Sequence, residues 1–371
     1  MNGCHARPSL RATLGVLLAL TAVMPLAAQE KKADEISALA GRLALKLVEE
    51  ERTPSMVIGV LRGGKTWTRG YGVLGPEDPR PPDGDTIHEI GSITKVFTGL
   101  LLAVAVTRGE VKLEDPVSKH LPPTWKVPVF EGKAMRLVDL ATHTSGLPRM
   151  PPDFLPRNLR DPYANYGVEK LKVSLSKTRL LSAPGERHLY SNYGMGLLGQ
   201  ILCFKAKRDY AELVAKRITA PLGLKDTLVT LDARRRKRLA PPFPSGRSRA
   251  TEWRFKALAG AGALRSTARD LLAFARAVLE PARTPLKEAL ALTLRVHWQG
   301  GGDAPPMGLA WHWVPTRAGV WHNGGTGGYR SFMAVNLERR FAVVVLANTT
   351  DAAVDRVGST LMRALSRRTG G

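Results

Sequence analysis

The chain has 371 residues, 44% hydrophobic and 23% charged, with a formal net charge of +23 at pH 7. This mix excludes a disordered chain, and the length allows one large core or two intimately packed subdomains. The charge favours anionic surroundings such as nucleic acid, a membrane surface or an acidic cell wall, but the densest basic run, residues 234–238, holds no aromatic and leads into Pro241, Pro242 and Pro244. Nucleic-acid proteins interleave such runs with aromatics or set them on a reading helix, so a solvated loop and no nucleic-acid partner are expected.

In chain order, Arg7 and Arg11 precede an apolar run over residues 14–24, followed by the small residues Ala27 and Ala28. That is the layout of a secretory signal over residues 1–28, and it predicts an exported protein. Cys4 would leave with the signal, so the mature chain keeps only Cys203 and no internal disulfide. Cys203 lies in an apolar run and is expected as a small buried hydrophobe. Ile36, Leu39, Leu43 and Leu47 recur at helical spacing. Residues 55–61 are rich in β-formers, Gly63 and Gly64 make a turn, and residues 66–73 continue extended, which predicts a hairpin.

An apolar helix is expected over residues 93–107, stopped by Gly109. From 110 to 248 the chain reads as loop-rich and mainly helical, with helical spacing near 137–142, 168–181, 192–204 and 210–218. Thr267 and Asp270 resemble a capping box opening a helix over 271–279. Strands are expected at 307–314, 320–322, 329–337 and 341–348, and Asp351 heads a last helix through Leu361. The later apolar stretches, 100–106 and 341–347, are too short to span a bilayer. Strands at both ends and helices between them predict an α/β (α+β) fold. One antiparallel sheet flanked by helices would come from residues 29–110 and 260–371, with a mainly helical subdomain over about 111–259 inserted between its halves; residues 29–371 would form one domain.

Three short patterns carry chemistry. In Ser92-Ile93-Thr94-Lys95, a helix starting at the serine puts Lys95 one turn above its hydroxyl, and a desolvated amine there can help remove the hydroxyl proton. Tyr190-Ser191-Asn192 opens another apolar helix. A phenol near cations has its pKa lowered from about 10, which suits a base, and the Asn192 amide can donate to a substrate carbonyl and orient Lys95. His322-Asn323-Gly324-Gly325 ends an expected strand, where backbone without side chains approaches a substrate closely. The N–H of Gly325, paired with that of Ser92, would form an oxyanion hole. Taken singly, Ser92 reads as a helix N-cap, Lys95 as a surface lysine, Tyr190 as a core aromatic and His322 as a loop residue. A second Ser-x-x-Lys, Ser174 with Lys177, and a second Tyr-x-Asn, Tyr163 with Asn165, lack the apolar helix that should follow.

With residues 90–98, the stretch Thr142-His143-Thr144-Ser145-Gly146-Leu147-Pro148, Tyr190-Ser191-Asn192, residues 264–267 and residues 322–328, the chain resembles the class C β-lactamase superfamily of penicillin-binding-protein type, which also holds DD-peptidases, D-aminopeptidases and esterases. The resemblance implies an acyl-enzyme on Ser92, proton transfer shared by Lys95 and Tyr190, and substrate binding by Asn192, His322, Gly324 and Gly325. It also implies that no metal or organic cofactor is needed. The substrate would be a small molecule or peptide: a β-lactam, a D-amino-acid peptide or an ester. Two departures stand out. Class C enzymes have Lys-Thr-Gly where this chain has His322-Asn323-Gly324, and they place a substrate-binding Gln after Leu-Pro where this chain has Arg149 and Met150.

Other readings fail on context. Residues 59–66 match the phosphate-loop pattern letter for letter, yet Trp67 to Gly72 is aromatic and broken by glycine, which suits a strand rather than the required helix. The eight histidines are scattered, with no two-His helical pattern for zinc, and no G-x-S-x-G is present. A catalytically silent peptidoglycan-binding module is the alternative from a different class.

Overall fold

The computed structural model describes residues 26–244 and 249–367, together with positions 1 and 3. Arg7, Arg11 and the apolar run of the expected signal lie outside the described residues. Helix α1 (Leu26–Glu49) carries Ile36, Ala40, Ala44 and Leu47 on one buried stripe, spaced three or four apart. It leads into strands β1 (Ser55–Arg62) and β2 (Lys65–Gly72), which pair antiparallel from Ser55↔Gly72 to Arg62↔Lys65. Gly63 and Gly64 both have positive φ, as a two-residue hairpin turn requires. The phosphate-loop lookalike is therefore this hairpin.

Strands β3 (His312–Trp313), β4 (Gly319–Gly325), β5 (Arg330–Asn336) and β6 (Phe341–Ala347) complete a six-stranded antiparallel sheet in the order β2-β1-β6-β5-β4-β3. Strands from the two ends of the chain thus lie side by side, as the pattern along the sequence predicted. The central β6 is buried at every residue, because both faces are covered. On one face Met56, Ile58, Val343 and Val345 meet α1 and the last helix, α6 (Ala353–Arg367), through Val357, Leu361 and Leu365. On the other, Val57, Leu61, Val344 and Leu346 meet α5 (Ala268–Leu279) and α2 (Thr94–Thr107). Each such aliphatic side chain contributes about 1.5–3 kcal/mol by leaving water.

Between the halves run α3 (Val168–Lys177) and α4 (Asn192–Ala206), with short helical turns around them. α4 packs on the segment Ala259–Gly262, where a Cβ on Gly196 would lie 2.4 Å from Leu258. Among the described residues no helix is long and apolar enough to cross a membrane.

Three expectations need correction, and one helix had no expectation. The basic run is solvated, with Arg234, Arg236 and Lys237 exposed, but it is not a loop: Ala233–Arg236 forms a helical turn, Arg235 and Arg238 converge on Asp226, and Arg236 pairs with Glu252. The expected strand over 307–314 shrinks to two residues, because the Gly308 N–H bonds back to Trp311 and Ala310 takes φ +62° to reach the Ala141 carbonyl. Only half of the capping box forms. Thr267 Oγ accepts from Asp270 N–H at 3.1 Å, while the Asp270 carboxylate turns to Asp226 N–H and Thr227. Helix Lys287–Leu294 went unread, having no clean apolar stripe. Cys203 is buried as expected, and burial pushes its thiol up to about 12, which rules it out as a nucleophile at ordinary pH.

Candidate active site

Ser92 sits in a 3-10 turn, Gly91–Ile93, that runs straight into α2. Its hydroxyl caps neither turn nor helix, so the N-cap reading fails. The residue is only partly covered, whereas Lys95 is fully buried. Lys95 Nζ lies 2.8 Å from Ser92 Oγ and donates to the Ala261 carbonyl at 2.7 Å. Burial pushes the Lys95 ammonium well below its ordinary range, and the nearby Arg149 charge adds to the effect. The shift favours the neutral amine, whose lone pair can accept a proton.

Tyr190 comes from the loop before α4, and the Ser92 side chain is close enough to pull its phenol pKa down. Lys95 Nζ sits 4.9 Å from the centre of its ring. Burial pushes the Tyr190 phenol up to about 12, outweighing the Ser92 side chain and the Arg149 charge that pull it down. This corrects the expectation of a phenol made acidic by cations. Tyr190 therefore keeps its proton at ordinary pH.

The loop holding Tyr190 is fixed by His143, a residue quoted above only as part of a motif. Its carbonyl accepts from Leu189 N–H at 2.7 Å and its Nδ1 from Ser191 N–H at 3.2 Å, so it grips the backbone on both sides of Tyr190. Its ring lies 4.4 Å from the tyrosine ring, and its own backbone holds φ +61°, in the left-handed region that side chains usually avoid. His188, His312 and His322 surround the same phenol in a chain of ring contacts. Burial pushes all four imidazoles down, His312 to about 4, so they rest neutral.

His322, Gly324 and Gly325 arrive on β4. Gly324 approaches the Ser92 turn rather than open space. A Cβ there would lie 2.0 Å from the Ile90 carbonyl and 2.9 Å from Ser92 N, and one on Gly91 would lie 2.7 Å from Gly325 N. Ser331 Oγ donates to the Ile90 carbonyl at 2.8 Å and locks the same junction. The backbones of Ser92 and Gly325 therefore lie side by side, as an oxyanion hole requires. His322 is buried with Nδ1 2.6 Å from the Asn323 carbonyl.

Asn192 is the site residue drawn elsewhere. Its amide nitrogen points to Met150 Sδ and the Tyr163 hydroxyl, each at 3.5 Å, and Ala261 does the orienting of Lys95 expected of it. Ser174, the rejected second serine, is buried in α3 far along the chain from this turn. Among the described residues no three His, Cys, Asp or Glu side chains, the clustered histidines included, are placed to hold a metal ion.

Gly324→Ala should displace β4 from the Ser92 turn. We expect fluorophosphonate labelling of Ser92 to slow about 100-fold, the cost of misplacing a reacting group by about 1 Å. Labelling kinetics, with circular dichroism to verify folding, would measure it.

The family model described as Beta-lactamase matches residues 40–366. The D-alanyl-D-alanine-carboxypeptidase/endopeptidase AmpH of Escherichia coli strain K12 is 29% identical over 306 residues, covering 78% of each chain. A β-lactamase of the same strain is 26% identical over 358 residues, covering 85% of this chain and 89% of its own. A solved β-lactamase/D-alanine carboxypeptidase from Yersinia pestis, complexed with citrate, superposes with a TM-score of 0.76 at 27% identity, covering 90% of this chain and 99% of the other.

Proposed function

Because this chain belongs to the Beta-lactamase family, we propose that it is a serine hydrolase of the β-lactamase and DD-peptidase type in which Ser92, Lys95 and Tyr190 perform the chemistry. The observation that carries the assignment is the 2.8 Å contact between Lys95 Nζ and Ser92 Oγ in a buried site that lowers the amine's pKa. As Ser92 Oγ attacks a carbonyl carbon, its proton passes to Lys95. The carbonyl electron pair moves to oxygen, where the N–H groups of Ser92 and Gly325 receive it. Collapse breaks the bond to the leaving group, which takes the Tyr190 proton, and Lys95 returns a proton to the phenolate. Water then attacks the acyl-enzyme by the reverse use of the same groups.

The substrate is a small molecule or peptide. The finer reading is a β-lactam or D-amino-acid peptide amide. A DD-carboxypeptidase, D-aminopeptidase or esterase differs from it only in what the cleft admits. His322-Asn323-Gly324 in place of Lys-Thr-Gly leaves β4 without a cationic side chain at that corner, which favours peptide or ester over β-lactam turnover. Export through residues 1–28, contact with an anionic cell wall, and the division into a sheet part (29–110 and 260–371) and a helical part (111–259) belong to the same proposal. A silent binding module is disfavoured, since Lys95 lies within hydrogen-bonding reach of Ser92.

Steady-state turnover of nitrocefin, a D-Ala-D-Ala peptide and p-nitrophenyl acetate tests the reading. We expect turnover of the ester and the peptide, with nitrocefin slower by tenfold or more. Absence of turnover for all three, with no labelling by a fluorescent penicillin, would identify a silent module.

A further inference from the structure

Glu89 stands three residues before Ser92 and is buried. Its short strand, His88–Glu89, pairs antiparallel with Arg265–Ser266, which sets Glu89 directly opposite Arg265. Glu89 Oε1 accepts from Arg265 Nη2 at 2.9 Å and from the Trp253 N–H at 2.9 Å. Arg265 is held in turn, donating from Nη1 to the Val229 carbonyl at 2.6 Å and from Nη2 to Glu252 at 3.1 Å. The acyl-transfer steps above give none of these groups a task.

The same carboxyl group reaches the turn that follows Gly325. The Thr326 side chain is close enough to pull the Glu89 pKa down, and Glu89 Oε2 and Thr326 Oγ1 are both buried with no other hydrogen-bond partner among the described residues. The Thr326 N–H closes that turn on the Tyr329 carbonyl at 3.0 Å. A Cβ on Gly327 would lie 2.5 Å from Trp253 Nε1, so the indole rests against the turn from outside. Both backbone donors near the Ser92 hydroxyl therefore run back to Glu89: the Ser92 N–H through residues 89–92, the Gly325 N–H through Thr326 and Trp253. Burial pushes the Glu89 carboxyl up to about 7 against the pull of Arg265. A buried ion pair adds little stability over apolar residues of the same size, which leaves geometry as what this one provides.

We propose that Glu89 is a positioning residue that sets the spacing of the two oxyanion-hole donors, with Arg265 orienting its carboxylate. The inference rests on the Ser92 reading above and adds a side chain that acts through the Ser92 and Gly325 backbones. An oxyanion hole works when both donors are fixed about 2.7–3.1 Å from the place the charged oxygen will occupy. A slack turn after Gly325 would loosen one donor while leaving Ser92 and Lys95 in contact.

p-Nitrophenyl acetate and its thiono analogue, with sulfur in place of the carbonyl oxygen, read the hole directly. Sulfur is larger and accepts hydrogen bonds weakly, so a tight hole favours the oxygen ester. The readout is the ratio of kcat/KM, oxygen over sulfur, for the unaltered chain, Glu89→Gln, Thr326→Val and the double variant Glu89→Leu with Arg265→Met. Leaving group and attacking group are the same for both esters, and the fraction of folded enzyme cancels from the ratio. The double variant exchanges the buried ion pair for apolar groups of similar size, which keeps the packing and removes the grip on Trp253 and Thr326. Arg236 still pairs with Glu252 there. We expect the ratio to fall at least about tenfold in the double variant, since a donor is loosened rather than lost, and by less in Thr326→Val. It should be largely kept in Glu89→Gln, whose amide oxygen still accepts from the Trp253 N–H. A ratio unchanged in the double variant, or unchanged in Thr326→Val should the double variant give no turnover, would overturn the inference while leaving the Ser92 reading intact. Absence of Ser92-dependent turnover of the oxygen ester by the unaltered chain would defeat both.

Discussion

Ser92→Ala is expected to abolish fluorophosphonate labelling and to lower kcat/KM for any substrate by roughly four or more orders of magnitude, the scale seen when a nucleophile acting in a concerted unit is removed. The fold should survive. The Ser92 hydroxyl caps no helix, and Lys95 keeps its hydrogen bond to the Ala261 carbonyl when the serine oxygen is gone. Thermal unfolding should therefore change little while activity vanishes. That separation matters, because Ser92 stands where three backbone segments interlock, and a variant that merely unfolded would say nothing about chemistry. Residual activity above about one per cent in a folded Ser92→Ala chain would mean another group attacks the substrate.

Lys95→Arg should be nearly as damaging, with a loss on the order of a thousandfold. Arginine keeps the positive charge but cannot give up its proton, so it removes the base without removing the cation. The larger guanidinium also has to fit a fully buried position. The pH profile carries the sign of the argument. The active form has Lys95 neutral, and burial lowers the pH at which it becomes so. In the unaltered chain kcat/KM should therefore climb as pH rises through that lowered value, and activity is lost as pH falls through it. Tyr190 keeps its proton until about 12, so it contributes no descending limb at ordinary pH. Loss of activity on raising the pH through the neutral range would show that a protonated group is required and would contradict Lys95 as the base.

Much of this site was legible in the sequence because its chemistry sits at helix starts. Ser92 and Lys95 are three residues apart at the head of an apolar helix, and that spacing alone brings their side chains to one face. Gly324 and Gly325 were legible as backbone without side chains at a strand end, although the purpose of Gly324 was not. It admits the backbone around Ile90 and Ser92, and a clash partner 234 positions away leaves no local mark.

What stayed hidden depends on burial and on main-chain atoms. The direction of the Tyr190 shift turned on how completely helices and histidines enclose the ring, which no local pattern records. The Ala261 carbonyl that holds Lys95 is a backbone group, identical in every residue type. Asn192 was read as a partner of Lys95 from its place beside Tyr190, but Met150 and Tyr163 reach its amide first. His143 could have been found as a histidine in a turn rich in Thr, Ser and Gly, though its grip on both sides of Tyr190 appears only in three dimensions. The strand expected near Met307 failed for a related reason. Ala310 bonds to Ala141, a contact across the fold that overrides the local β-pattern.

The measurement that tests the central claim most directly is peptide mass mapping after reaction of the intact chain with a fluorophosphonate. The account predicts one covalent adduct per chain, on Ser92, forming more slowly as pH falls and Lys95 takes up a proton. An adduct on any other serine, or steady substrate turnover in a chain that forms none, would contradict it.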